Sequence, residues 1–237
     1  MTITDELFRR DGYLKECNAV VVTAHDGVIV TDQTVFYPEG GGQPGDTGWI
    51  MGTDGREFVV TDTQKDAETG EQQHRVSSDF DLPAVGETVT LKLDWERRYR
   101  LMRMHSCMHM LCAAIPAPVT GGSIQDGRGR LDFDLPDPVD KEEVTDRLNA
   151  LIAQDSSMQM RWISDEELAH KPELVRTMSV KPPTGSGQVR IVEFEGIDLQ
   201  PCGGTHVAST GEIGRVRVRK IEKKGRQNRR VIVVFDD

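Results

Sequence analysis

The chain has 237 residues, of which 37% are hydrophobic, and this is enough to build a core in one large domain or two small ones. Its formal net charge of −10 argues against a general nucleic-acid binder, although the distribution of charge matters more than the sum. No segment reaches the roughly 20 apolar residues of a membrane span, and residues 1–16 lack the apolar run of a signal peptide. The sequence therefore predicts a cytoplasmic globular protein.

The first part of the chain alternates short apolar runs with turn signals. Between residues 19 and 95 these runs are AVVVTAHDGVIVTD, FYPEGGGQPGDTGWI, REFVVTDT and GETVTLKLDW. Runs of this length and spacing are typical of a small antiparallel barrel. We expect residues 1–96 to form a β-barrel domain that carries a glycine-rich loop, EGGGQPGDTG.

The second part mixes helical and strand patterns. Helical spacing of apolar residues occurs in ERRYRLMRMHSCMHMLCAAI, which Pro116 and Pro118 end, and again in DKEEVTDRLNALIAQD. Ser164 and Glu167 form a plausible capping box for a third helix, which Pro172 could continue. Strands are predicted for MQMRWI, QVRIVEFEG, GRVRVRKI and RRVIVVF, the last two joined as a hairpin across KKGRQN. Residues 97–237 are therefore predicted to be an α+β domain, with helices packed on an antiparallel sheet.

Cysteine and histidine positions separate ordinary residues from candidate ligands. The spacing of Cys17, Cys107, Cys112 and Cys202 matches no compact disulfide framework, so free thiols are expected. For Cys17, Cys107 and Cys112 a buried apolar role is expected. His25, His74 and His170 have no partner at ligand spacing and are expected on the surface or in loops.

Two short motifs together suggest a metal site. His105 and His109 in HSCMH are four residues apart, which puts both imidazoles on one face of a helix. Cys202 and His206 in CGGTH can reach one ion if the intervening glycines bend the chain sharply. Three nitrogens and one sulfur suit Zn²⁺ and would not suit magnesium or calcium. Ser106 occupies the position at which metalloproteases carry a glutamate, so peptidase chemistry is not expected.

Basic residues cluster at two places in this acidic chain. Arg97 and Arg98 lie in the first cluster, just before the paired histidines. The second cluster lies near the C-terminus and includes Lys223, Lys224, Arg226, Arg229 and Arg230. These residues are candidates for contact with RNA phosphates, and solvated faces of a helix and a strand are the alternative.

Four segments of the chain resemble the alanyl-tRNA editing proteins, the freestanding relatives of the editing domain of alanyl-tRNA synthetase. The segments are FYPEGGGQPGDTG, HSCMH, RIVEFEGIDLQPCGGTHVASTGEIG and KKGRQNRRV. The resemblance implies that His105, His109, Cys202 and His206 are the zinc ligands. It also implies hydrolysis of the ester that joins a wrong amino acid, chiefly serine and secondarily glycine, to tRNA(Ala). A pocket sized for alanine cannot strongly reject either amino acid, so a second hydrolytic site is needed.

The resemblance also suggests residues around the substrate. Gly40, Gly41, Gly42 and Gln43 form a loop that we expect to contact the amino acid or the terminal adenosine. The backbone N–H groups of Gly203 and Gly204 are candidates to stabilise an oxyanion. Relatives commonly have HSATH where this chain has HSCMH, so Met108 replaces a threonine and would alter the recognition of serine.

The sequence leaves the role of the zinc open. Four protein ligands saturate tetrahedral zinc, as in structural sites, whereas hydrolytic zinc keeps an open position. Either one ligand is loose, or the ion becomes five-coordinate, or it holds the substrate while a separately positioned water attacks. A zinc-stabilised RNA-binding module and a hydrolase of small-molecule esters are the alternative functions. The oligomeric state has no signal in the sequence.

Overall fold

The computed structural model describes residues 4–77, 81–175 and 187–236. The chain divides into two compact units, Met1–Tyr99 and Arg100–Asp237. The sequence places the boundary near residue 96. None of the described helices is both long and apolar enough to cross a lipid bilayer.

The first unit is built around a closed antiparallel barrel. Its strands are β1 (Asp5–Glu6), β2 (Glu16–His25), β3 (Val28–Thr31), β4 (Gln33–Thr34), β5 (Gly48–Gly52), β6 (Glu57–Lys65), β7 (Gln72–Ser77) and β8 (Thr88–Leu93). The barrel order is β2-β3-β7-β6-β5-β8, and β1 and β4 form a separate parallel pair. The predicted barrel is confirmed, with apolar side chains such as Ile29, Ile50, Phe58 and Leu91 fully buried inside it.

Strand β7 was not apparent from the sequence because its buried side chains are polar. Gln72 and His74 are both almost fully buried on this strand. His74 Nδ1 donates to the Ile29 carbonyl at 2.9 Å, and its Nε2 lies 2.9 Å from the Thr34 hydroxyl. Burial in the barrel lowers the pKa of His74 to about 4. The expectation of a surface or loop position for His74 is therefore wrong.

Arg98 is also part of the interior of the first unit. Its guanidinium forms an ion pair with the Asp46 carboxylate and donates to the backbone carbonyls of Val35, at 2.7 Å, and Gly12, at 3.1 Å. Both charged side chains are almost completely buried. A buried charge needs such partners, and Arg98 has no exposed surface to offer a phosphate. This corrects the expectation that Arg98 contacts RNA.

The second unit contains most of the helical residues. Its helices are α1 (Trp95–Ala114, which begins in the first unit), α2 (Lys141–Ile152) and α3 (Asp165–Ala169). Its strands are β9 (Val119–Gln125), β10 (Arg128–Asp134), β11 (Met158–Ser164), β12 (Gln188–Phe194), β13 (Asp198–Pro201), β14 (Val216–Lys223) and β15 (Asn228–Phe235). Within the described residues they form two antiparallel sheets, β14-β15-β10-β9 and β11-β12-β13, where the sequence predicted one. The hairpin of β9 and β10 was missed because its glycines and aspartates obscure the strand pattern.

Local signals in the second unit agree with the sequence in most places. Asp140 caps α2 by accepting from the Glu143 N–H, and Ser164 caps α3 by accepting from the Glu167 N–H. Strands β14 and β15 form the expected hairpin. Pro172 begins a separate 3-10 turn, Pro172–Leu174, and does not continue α3.

The three-stranded sheet has two faces with different contents. Ile163, Val189 and Ile191 lie on one face and pack with Leu168 and Leu174 in a hydrophobic cluster. Residues directly paired across antiparallel strands share a face. The register therefore puts Arg190, Val192 and Phe194 on the opposite face, together with their partners Met158, Met160, Trp162, Asp198 and Gln200. Cys202 follows the last residue of β13, next along the chain from Asp198 and Gln200 on this second face.

Candidate metal centre

Two chain segments bring four donor atoms together in the second unit. Helix α1 carries His105 and His109, one turn apart, with ring centroids separated by 5.6 Å. Cys202 and His206 lie in the loop that follows β13. The donor atoms of these four residues all lie within 4.8 Å of one another. The structure thus unites the four residues that the sequence singled out as ligands.

The thiol of Cys202 is close to two of the imidazoles. Its Sγ lies 3.5 Å from His105 Nε2 and 3.2 Å from His206 Nε2. The rings of His105 and His206 are 4.3 Å apart, and those of His109 and His206 are 4.7 Å apart. The three histidines are buried, whereas Cys202 is half-buried. Of the four residues, Cys202 therefore has the most exposure to solvent.

A carboxylate from β13 holds His109. His109 Nδ1 lies 2.7 Å from Asp198 Oδ2. The side-chain amide of Gln200 donates to the same carboxylate oxygen at 2.7 Å. Because Nδ1 is occupied by Asp198, Nε2 is the nitrogen left to face the cluster. A carboxylate behind a ligating histidine fixes its tautomer and raises its basicity, as in many zinc sites.

Ser106 ties the helix to the segment that carries His206. Its hydroxyl oxygen accepts from the Val207 N–H at 3.1 Å and lies 3.3 Å from His206 Nδ1. Ser106 is fully buried. Ser106, at the position where metalloproteases carry a glutamate, therefore orients His206.

Arg190 on β12 holds the turn formed by residues 202–205, the glycine turn. One of its terminal nitrogens donates to the carbonyl oxygens of Cys202 and Gly204, both at 2.8 Å. The residue is 5% exposed. The loop carbonyls thus have a charged, buried partner on β12.

The charges in the cluster favour a thiolate at Cys202. Burial alone would raise the pKa of Cys202, but the neighbouring His105 and His206 lower it well below its ordinary value. Burial and the adjacent imidazoles lower the pKa of His206 despite the opposing effect of Cys202. Burial would lower the pKa of His109, but Asp198 and Cys202 raise it to about 9. A thiolate and three imidazoles are the donors that zinc prefers, so these residues fit the expected ion.

The other three cysteines form no disulfide and are not among the four clustered donors. Burial raises the pKa of Cys17 to about 11 and that of Cys107 to about 12. Thiols with such values are unreactive at neutral pH. The absence of disulfides and the buried positions of Cys107 and Cys112 agree with the sequence, whereas Cys17 is only partly buried, against the barrel core.

Met108 points at the four-stranded sheet. It is buried, and a Cβ placed on Gly129 of β10 would meet its Sδ and Cε at 2.7 Å. A larger residue at that position would require the flexible end of Met108 to shift. The Met108 side chain therefore packs against β10, and its effect on the recognition of serine stays a prediction.

The glycine-rich loop of the first unit forms a tight turn. Gly40 and Gln43 exchange two backbone hydrogen bonds of 3.0 Å, and the Tyr37 hydroxyl donates to the Gly40 carbonyl. Gly41 has φ of 58° and Gly42 has φ of 85°, a pair of values that favours glycine at both positions. The tip at Gly41 and Gly42 is exposed, whereas Gln43 is buried.

The basic candidates near the C-terminus divide into exposed and engaged residues. Lys223, Lys224 and Arg226 are exposed at the turn between β14 and β15. Arg229 is 8% exposed and donates to the carbonyls of Asn228 and Pro136, so it is not available to a phosphate. Arg230 is paired with Asp132. Arg97, in the first unit, is half-buried and donates to the Gly45 carbonyl at 2.8 Å.

Four residues around the cluster were missed from the sequence. Ser106, Arg190, Asp198 and Gln200 all contact ligands or the loop between them. The alternation of Asp198, Gln200 and Cys202 along DLQPC contained a usable signal, because period-two residues share one face of a strand. For Arg190 and Ser106 no local pattern indicates the contact.

Comparisons with known proteins point to one family. The model described as "Threonyl and Alanyl tRNA synthetase second additional domain" matches residues 189–232, and the one described as "tRNA synthetases class II (A)" matches residues 10–97. The first match includes Arg190, Asp198, Cys202 and His206.

Full-length relatives are more informative. "Alanyl-tRNA editing protein AlaX-M" of Saccharolobus solfataricus is 35% identical over 97% of this chain and 98% of its own length. The protein of the same name from Methanosarcina mazei is 36% identical over 97% of this chain and 95% of its own. An alanine–tRNA ligase of Sulfurisphaera tokodaii is 33% identical over 93% of this chain, but over only 25% of its own length. The chain therefore belongs to the AlaX-type alanyl-tRNA editing proteins.

Proposed function

We propose that this protein is a hydrolase that removes a wrong amino acid from mischarged tRNA(Ala), acting in trans after a synthetase has released its product. The convergence of His105, His109, Cys202 and His206 carries the proposal, because it supplies donors for a hydrolytic metal. The names of the full-length relatives support the same activity. Seryl-tRNA(Ala) is the expected main substrate and glycyl-tRNA(Ala) the second, since a pocket for alanine discriminates poorly against both.

Zinc is the cofactor that we assign to the four donors. When bound, it supplies Lewis-acid polarisation of the ester or of the amino or hydroxyl group of the substrate. Asp198 keeps Nε2 of His109 directed at the cluster, and Ser106 does the same for His206. Because Cys202 is the most exposed of the four, we assign the approach of substrate to its side of the cluster.

An aminoacyl ester is already activated, so orientation and hydrogen bonding to the developing oxyanion suffice for much of the catalysis. The backbone of the Gly203–Gly204 turn adjoins the sulfur and is the proposed source of these donors. The Gly40–Gln43 turn is the proposed contact for the amino acid or the terminal adenosine.

The tRNA would be held mainly through its phosphates. We assign these contacts to Lys223, Lys224 and Arg226, which are exposed on one turn. Arg97 and Arg230 rank below them because both are half-buried and engaged within the fold, whereas Lys224 is exposed although it pairs with Glu222. Phosphate contacts are independent of sequence and are weakened by salt.

The main test is release of the amino acid from Ser-tRNA(Ala), Gly-tRNA(Ala) and Ala-tRNA(Ala). Wild type should release serine fastest and spare alanine, and His105→Ala, shown to be folded, should release neither. Turnover that survives removal of the metal would discard the zinc mechanism. Hydrolysis of a free serine ester as fast as that of Ser-tRNA(Ala) would favour a small-molecule esterase.

One observation favours a second function, an RNA-binding module with a purely structural zinc. Four protein donors form the closed set that is typical of structural zinc sites. Absence of turnover by the wild-type protein on all three tRNAs, with intact tRNA binding, would support this module.

The RNA contacts have a separate test. Charge reversal of Lys223 together with Arg226 should weaken tRNA binding at low salt and leave the metal content unchanged. Reversal of Arg215 together with Arg217, two cations already near Asp236, serves as the control for the same change in net charge. Unchanged tRNA affinity at low salt would remove these residues from the proposed surface.

A further inference from the structure

The feature with the clearest unassigned role is the buried guanidinium of Arg190. It lies on the face of the three-stranded sheet that leads into the metal centre, in register with Trp162. Its contacts are the carbonyl oxygens of Cys202 and Gly204, each at 2.8 Å, and the sulfur of Met160. A single side chain thus holds both ends of the glycine turn between two ligands.

Holding these carbonyls also fixes the amide groups that follow them. The peptide unit is planar, and no cis peptide bond occurs in the described residues. In a trans peptide the N–H of one residue points opposite to the C=O of the residue before it. Since the Cys202 and Gly204 carbonyls point at Arg190, the N–H groups of Gly203 and Thr205 point away from it.

We propose that Arg190 is a positioning residue of the metal centre. By holding the Cys202 carbonyl it determines where the ligating sulfur lies. By holding the Cys202 carbonyl it also directs the half-buried Gly203 amide away from β12, as the proposed oxyanion donor. Gly203 belongs to the Gly203 and Gly204 pair that the sequence suggested. The part concerning the amide rests on the proposed function, whereas the part concerning the sulfur does not.

Burial and charge explain why arginine suits this position. Loop carbonyls without a partner are costly when buried, and a guanidinium satisfies two of them with charge-assisted bonds. Both bonds come from one terminal nitrogen, whose two N–H groups are fixed in the guanidinium plane, whereas the ammonium of lysine turns freely on a flexible stem and would hold the carbonyls less firmly. Methionine preserves the bulk beside Met160 but donates nothing.

The first test follows the metal and needs no tRNA. Arg190→Met should bind zinc about 10-fold to 100-fold more weakly in a chelator competition, the usual effect of losing a partner that orients a ligand. With Co²⁺ in place of zinc, its thiolate-to-cobalt absorption should shift because the sulfur is displaced. Arg229→Met is the matched control, since Arg229 is also buried and also donates to two backbone carbonyls. That variant should keep the wild-type cobalt spectrum and affinity.

The second test follows the reaction at saturating metal. Arg190→Met should lower kcat on Ser-tRNA(Ala) by about 10²-fold or more, as expected for a lost oxyanion donor, with little change in KM. Arg190→Lys should recover part of kcat. Wild-type metal affinity, cobalt spectrum and kcat in a folded Arg190→Met protein would overturn the proposal, as would equal losses in Arg229→Met.

Two further outcomes are decisive. If Arg190→Met does not fold, Arg190→Lys takes its place, and a wild-type cobalt spectrum and kcat in that variant would overturn the proposal. If wild type has no deacylase activity, the proposed function and the role of the Gly203 amide fail together. The cobalt spectrum then still decides whether Arg190 positions Cys202.

Discussion

His74 in the barrel and His109 in α1 are both buried, yet their pKa values move in opposite directions. Burial lowers the pKa of His74 to about 4, while the partners of His109 overcome burial and raise its pKa to about 9. His74 meets a hydroxyl and a backbone carbonyl, which satisfy a neutral ring. His109 meets the Asp198 carboxylate and lies near the Cys202 thiolate.

The difference shows what distinguishes a candidate ligand from a structural histidine. Burial alone is common to both residues and carries no functional information. The partner of the second ring nitrogen does carry it, because a carboxylate favours a ring that donates its other nitrogen to a cation. Three further donors near His109, which His74 lacks among the described residues, complete the distinction.

The largest effect should come from removing His109, and removal of His74 is the comparison. His109→Gln takes away a ligand and should weaken zinc binding by more than the roughly 100-fold that loss of an orienting partner costs. His74→Gln should leave zinc content and deacylation unchanged once the protein is folded. Zinc content by atomic absorption checks both. Equal loss of zinc in the two variants would contradict the distinction between His109 as a ligand and His74 as a structural residue.

Acid should act on the barrel through His74. The folded pKa of about 4 lies below the unfolded value of 6.5, so as pH falls below 6.5 the unfolded state binds the proton first. The stability that depends on neutral His74 is therefore complete above pH 6.5 and falls by about 3 kcal/mol towards pH 4. Hydrogen exchange of barrel amides should show this slope, and His74→Gln should reduce it. An unchanged slope in the variant would assign the effect to other groups.

Metal binding should also be linked to a proton, through His109, and over a higher range of pH. In the metal-free protein the ring holds its proton up to about pH 9, and that proton must leave when a cation binds. Zinc affinity should therefore rise with pH, by about tenfold per unit from this proton, and level off near pH 9. Chelator competition at several pH values measures the slope. Affinity that is flat between pH 7 and pH 9 would contradict it.

The smallest expected effect concerns the carboxylate itself. Asp198→Asn keeps the shape but removes the charge behind His109, so zinc affinity should fall by about 10-fold to 100-fold. The pH at which affinity levels off should also move down, since Asp198 raises the pKa of His109. Asp165→Asn, at the start of α3, is a control on the same unit and should change neither. If zinc affinity in Asp198→Asn kept the wild-type dependence on pH, Asp198 would not be the group that raises the pKa of His109.

Much of the fold was predictable because local patterns and tertiary packing agree. Alternating apolar runs predicted the barrel, and Ser164 marked a helix start that the structure has. The prediction failed at β7, whose buried side chains are polar, and at β9 and β10, which are rich in glycine. In these strands burial depends on side chains from elsewhere in the chain, which a local window does not contain.

By itself, the sequence determined the four candidate ligands, because helical spacing and a glycine turn restrict which side chains can share one ion. It could not determine that Asp198, Ser106 and Arg190 hold these ligands and the turn between them. Nor could it separate Arg98 and Arg229 from cations that solvent reaches. Those assignments depend on contacts between residues that are distant in the chain. Only the folded backbone determines which polar groups are buried together and bind each other in place of water.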